Sequence, residues 1–162
     1  MTVNRIEFSG TGNFLGSDNT VITRYGSLVV NMCTFTGDSA TSAIYYYPYR
    51  PSNPTGSLTV QGCLFSTLIK TGVSSSSTYL TKLTGNVFEY GSSTSGYAPI
   101  GLVGDTVEVT NNQFRHLWSS TMIPLRVAGS TTVTYSGNTH TNNSNVYTKL
   151  DSSTAPVTAT FA

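Results

Sequence analysis

Charge is scarce in this sequence. Asp, Glu, Lys and Arg make up only 9% of its 162 residues, the formal net charge is +1, and the few basic residues do not cluster. Without a positive patch there is no electrostatic hold on nucleic acid or on an anionic membrane, and both partners are set aside. Long apolar runs are missing too, which excludes a membrane-spanning helix. The N-terminal MTVNRIEF lacks the charged-then-apolar shape of a secretory signal. The sequence therefore reads as a mature part, an excerpt, or a protein delivered by other means.

The shortage of acids bears on catalysis. Glycoside hydrolysis needs two carboxyl groups roughly 5–10 Å apart, and the whole supply is Glu7, Asp18, Asp38, Glu89, Asp105, Glu108 and Asp151. There is no Ser/His/Asp constellation and no phosphate-cradling glycine loop. With two cysteines and no companion ligands at zinc spacing, a metal site is not expected. No cofactor is expected either, and no residue is assigned a catalytic role.

What the sequence does have is repetition. SLVVNMCTF, SLTVQGCLF, LTKLTGNVF, TVEVTNNQF and TTVTYSGNTH are alternating runs that close on a ring at Phe35, Phe65, Phe88, Phe114 and His140, at spacings of 30, 23, 26 and 26 residues. Recurrence at that period is the mark of a stacked solenoid. Within each run the larger apolar groups alternate: Leu28, Val30 and Met32; Leu58 and Val60; Leu83; Val107 and Val109; Val133 and Tyr135. That is strand period, since successive side chains point to opposite faces. The phase then shifts so that the ring also points inward, as it would after a corner.

Two residues before each ring stands Cys33, Cys63, Asn86, Asn112 or Asn138. An amide at that corner can bond the backbone and the identical group one coil away. Stacked in consecutive coils, Cys33 and Cys63 would have Cα atoms about 5 Å apart, within disulfide range, but in-register parallel stacking favours two buried thiols. A weaker strand series follows each corner (residues 20–25, 43–47, 98–102, 122–127 and 145–150), and Gly26, Gly56, Gly104 and Gly129 stand before the next main strand, suited to positive-φ turns. The serine-rich GVSSSSTY reads as a loop.

One coil is thus strand, corner, loop, second strand and glycine turn, and such coils stack at about 4.8 Å into a parallel β-helix. The C-x-F, GN-x-F and NN-x-F corners, each preceded by an inward aliphatic strand, resemble the right-handed parallel β-helix of the pectin-lyase-like superfamily and of phage tailspikes; a looser similarity is to Ser/Thr-rich β-helical surface proteins. The resemblance implies an all-β solenoid of about six coils, 21–30 residues each. It does not carry function, because enzymes, adhesins and inert shafts share it.

Aligned on their rings, the coils place Glu89 opposite Arg115 and Lys82 opposite Glu108, so two acids face a cation in the neighbouring coil. Such pairs read as exposed ion pairs worth about 0–1 kcal/mol each. His116 aligns with Tyr90 as a surface stack. The most suggestive binding segment is YYYPYRPSNP, where Tyr45, Tyr46, Tyr47, Tyr49 and Arg50 could form an aromatic contact for glycans or protein. Those tyrosines fit a second-strand extension equally well, with Ile44 and Tyr46 on one face.

The composition suits one folded domain over residues 1–162, with 151–162 starting a further coil and both ends uncapped. A structural, non-enzymatic module of an extracellular fibre, cell surface or virion appendage is the expectation, joined head to tail to copies of itself or to further coils of a parent chain. A polysaccharide-binding or polysaccharide-cleaving β-helix is the alternative.

Overall fold

The computed structural model describes residues 1–10, 15–16, 27–37, 42–46, 56–66, 71–90, 100–116, 125–128, 132–141, 149–151 and 157–159. Among them every regular element is a strand, and the strands form two sheets, eleven-stranded and six-stranded, paired in parallel throughout. This arrangement is compatible with a β-solenoid.

The smaller sheet stacks Glu7–Ser9, Thr34–Thr36, Leu64–Ser66, Val87–Glu89, Gln113–Arg115 and Thr139–Thr141. Its register aligns Phe8, Phe35, Phe65, Phe88, Phe114 and His140. Their rings stack at centroid distances of 4.9, 4.9, 4.7, 5.2 and 5.1 Å, tilted by no more than 12°. This is the spacing of hydrogen-bonded strands, so backbone pairing and ring packing are satisfied by one rise.

In the larger sheet the main series runs Thr2–Asn4, Ser27–Asn31, Gly56–Gln61, Thr71–Thr84, Ile100–Thr110, Thr132–Ser136 and Val157–Ala159. One inward column is Leu28, Leu58, Thr81, Val107 and Val133, and the next is Val3, Val30, Val60, Leu83, Val109 and Tyr135. All are buried and face the ring stack across one core. Thr81 is the polar exception. Its hydroxyl lies 3.2 Å from that of buried Ser75, so the two satisfy each other inside the apolar interior.

Three sequence expectations need correction. Met32 does not point inward: it is 57% exposed with φ 52°, and the inward set ends at Val30. Gly56 and Gly104 do not stand in turns between strands. Gly56 opens strand Gly56–Gln61 and Gly104 lies within Ile100–Thr110, at register shifts Gly56/Ser57 and Leu102/Gly104, so the irregularity there leaves the sheet continuous. For the same reason 73–78 is strand, not loop: Thr71–Thr84 runs unbroken from the second series into the main one. Gly26 and Gly129 lie outside the described residues.

The left-handed backbone sits one residue before each corner side chain, at Arg5, Met32, Gly62, Gly85, Asn111 and Gly137, with φ between 52° and 65°. A single left-handed residue between two extended segments reverses the inward-outward phase, which is how the chain turns from one sheet into the other. Glycine and asparagine hold this conformation cheaply. Arg5 and Met32 hold it at a cost of about 1–2 kcal/mol each.

Candidate functional site

Polar chemistry in the interior concentrates at the corners. Asn86, Asn112 and Asn138 are all but fully buried, as are Cys33 and Cys63. Each side chain serves the repeat that precedes it. Asn112 Oδ1 accepts the Asn86 backbone N–H at 2.9 Å, Asn138 Oδ1 accepts that of Asn112 at 2.9 Å, and Asn86 Oδ1 accepts that of Cys63 at 2.9 Å. The amide nitrogens donate to strand carbonyls of the preceding repeat: Asn86 to Val60, Asn112 to Leu83 and Asn138 to Val109, at 3.0, 3.1 and 2.9 Å. A corner asparagine thus bonds the one N–H and the one C=O that the turn takes out of the strand ladder.

Cys63 does the same with sulfur, its thiol also reaching the Val30 carbonyl at 3.6 Å. Both thiols are free and buried, and Cys63 Sγ accepts the Cys33 N–H at 3.4 Å. Burial pushes the Cys63 thiol up to about 11, so it is protonated at neutral pH and is a packing and hydrogen-bonding group, with little thiolate to react.

His140 closes the described ring stack. Its Nε2 is 2.8 Å from the Tyr135 hydroxyl, while its Nδ1 is buried with no hydrogen-bond partner. Burial depresses its pKa below 6.5. The imidazole is partly buried and continues the ring column by stacking on Phe114.

On the surface, Arg115 Nε lies 2.8 Å from Glu89 Oε2, and Lys82 Nζ lies 3.1 Å from Glu108 Oε2. Each pair spans adjacent repeats in register, so these two carboxylates are held by cations. Beside the first pair, the rings of Tyr90 and His116 stack at 4.9 Å, both on left-handed backbone at φ 54° and 53°. In the first two repeats the equivalent slot is glycine, at Gly10 and Gly37, with φ 126° and 131°. Among the described residues no three His, Cys, Asp or Glu side chains gather as a metal site.

Of the proposed aromatic contact, Tyr46 must be withdrawn. It is fully buried in register with Ser75, because alternation on strand Ser42–Tyr46 turns Ile44 and Tyr46 inward. Burial also raises its phenol pKa. Tyr45 is half-buried on the opposite face. Tyr47, Tyr49 and Arg50 lie outside the described residues. Sequence reasoning missed Thr81 and Ser75, whose polarity masks their inward phase; the repeat does run at Ile6 and Phe8, as the sequence indicates, and the pairing of Phe8 with Phe35 fixes the register of that first repeat, with Ile6 in its corner slot.

No family model, curated protein or solved structure matches this chain.

Proposed function

We propose that the chain is a structural module, a right-handed parallel β-helix of about six coils belonging to an extracellular fibre, a cell surface or a virion appendage, and joined end to end with further coils. The observation that supports this reading best is the corner ladder with its ring stack. Buried amides and aromatic groups are spent, repeat after repeat, on holding one coil to the next, and Glu89 and Glu108 are engaged by cations of adjacent coils. That is the economy of a shaft. The test pairs electron microscopy and sedimentation of the purified chain with polysaccharide turnover assays. Rods or filaments without turnover fit the proposal; turnover lost in Glu89→Gln or Glu108→Gln would overturn it.

A second reading, polysaccharide binding, has one observation in its favour. The Tyr90–His116 stack beside Arg115 puts rings and guanidinium donors on one surface, at backbone positions where glycine would be less strained. A glycan array with Tyr90→Gly and Arg115→Ala controls tests it.

A further inference from the structure

The two surface ion pairs differ in shelter. Lys82 and Glu108 show 44% and 34% of their side chains to solvent, whereas the Glu89 side chain is only 15% exposed, beside an Arg115 that is 40% exposed. Arg115 reaches Glu89 through Nε alone, at 2.8 Å from Oε2. Among the described residues neither side chain makes a further bond, so the pair keeps its guanidinium Nη groups as donors and Glu89 Oε1 as an acceptor. A sheltered carboxylate with an oxygen unused gains more from an added hydrogen bond than one open to water.

Directly after this pair each chain segment carries a ring. Tyr90 follows Glu89 and His116 follows Arg115, and the two rings stack at 4.9 Å with a tilt of 7°. Tyr90 stays 49% exposed, so the stack does not serve to bury it. Both residues hold left-handed backbone, at φ 54° and 53°, a conformation that strains side chains of this kind. Strain kept at two consecutive surface positions points to a use for the side chains placed there. In the same outward column the ion pair stands between Ser66 and Thr141, so hydroxyl residues flank it on either side. The pair itself is electrically balanced and holds no net attraction for an anion or a cation.

We propose that this patch binds a neutral glycan through a vicinal pair of sugar hydroxyls. One hydroxyl accepts from an Arg115 Nη group, its neighbour donates to Glu89 Oε1, and the rings of Tyr90 and His116 support the apolar edge of the sugar. The ring spacing of 4.9 Å is close to the length of one sugar residue in an extended chain, so a second residue of the same glycan meets the second ring. A uronate would set its carboxylate against Glu89, a like-charge contact that works against binding. An acetamido group in place of one hydroxyl breaks the vicinal pair. The inference rests on the polysaccharide-binding reading of this surface and adds to it the class of sugar.

The test uses the full isotope-labelled chain and three tetrasaccharides: cellotetraose, which is neutral with vicinal hydroxyls; chitotetraose, whose acetamido groups remove the vicinal pair from every internal residue; and tetragalacturonate, which is acidic. Cellotetraose should give saturable shifts centred on 89–90 and 115–116, and the other two should bind at least about fivefold more weakly, the equivalent of one hydrogen bond. Arg115→Lys, which keeps the charge and gives up the planar fork, should lose a similar factor for cellotetraose. Tyr90→Gly should bind more weakly while melting no lower than the parent, because glycine relieves the left-handed backbone; its loss of binding is then no loss of folding. Equal binding of cellotetraose and chitotetraose, tighter binding of tetragalacturonate, or undiminished cellotetraose binding by Arg115→Lys would overturn the choice of sugar and leave polysaccharide binding standing. No saturable shifts at these residues with any of the three would overturn both.

Discussion

Asn112 presents one oxygen to two donors of Asn86: the backbone N–H and the side-chain Nδ2 both reach Oδ1 at 2.9 Å. Its own Nδ2 meanwhile donates to the carbonyls of Leu83 and Thr110 at 3.1 Å. A single amide therefore needs both of its ends, one as acceptor and one as donor. Among uncharged side chains of this length only asparagine provides that.

Asn112→Ala should cost about 1–3 kcal/mol in chemical denaturation, through the buried donors and carbonyl it leaves unpaired. Asn112→Asp is the sharper variant. It keeps the acceptor for Asn86 but turns an oxygen toward two carbonyls, so it should be at least as destabilising at pH 7 as Asn112→Ala. A loss under 0.5 kcal/mol for both would mean that the corner is wet.

Phe88 lies between Phe65 and Phe114 at 4.7 and 5.2 Å. Phe88→Ala should lose about 3–5 kcal/mol by the transfer and cavity terms together. Phe88→Leu, which fills much of the volume but breaks the stack, should lose less. Thermal and urea melts of the two variants separate volume from stacking.

Gly85 and Gly137 occupy equivalent corners at φ 65° and 64°. A Cβ on Gly85 would meet open space, whereas one on Gly137 would run into the Asn111 side chain. Gly85→Ala should cost only the left-handed backbone penalty of about 1–2 kcal/mol. Gly137→Ala should cost more, and Asn111→Ala should return part of the excess in a double-mutant cycle.

Burial lowers the pKa of His140 below its ordinary 6.5, so in acid the unfolded chain takes up this proton before the folded chain does. Stability from this residue is therefore unchanged above about pH 6.5 and falls as pH drops from there toward the folded-state value, below which the loss levels off. Between pH 7 and 5, His140→Phe should show a flatter stability profile than the parent. Equal slopes in the two proteins would place the titration elsewhere.

The ring spacing, the alternation before it and the polar residue two places earlier made the in-register core legible in the sequence, from Phe35 to His140. Side chains whose polarity contradicts their position were not legible. Thr81 stands in a column of leucine and valine, and only the register Leu58, Thr81, Val107 reveals it. Met32 misled in the opposite way, because apolar alternation carries no signal that the backbone has gone left-handed one residue before the corner. Gly56 and Gly104 look like turn residues to any local rule. That they belong to strands, at shifts of register, depends on how far the neighbouring strands extend, which is a tertiary fact. Of the candidate contact, strand phase alone separates Tyr45 from buried Tyr46.

The change from sulfur to amide along the corner column makes the molecule mechanically unequal end to end. Near residue 1 the staple between repeats is a thiol 3.4 Å from its donor, beneath an isoleucine that accepts nothing; toward residue 138 it is an amide at 2.9 Å. Pulled along the stacking axis, or warmed, the chain should peel from its first repeats and stay zipped at its last. Substituting asparagine at Cys33 and Cys63 should move that weak point, or abolish it.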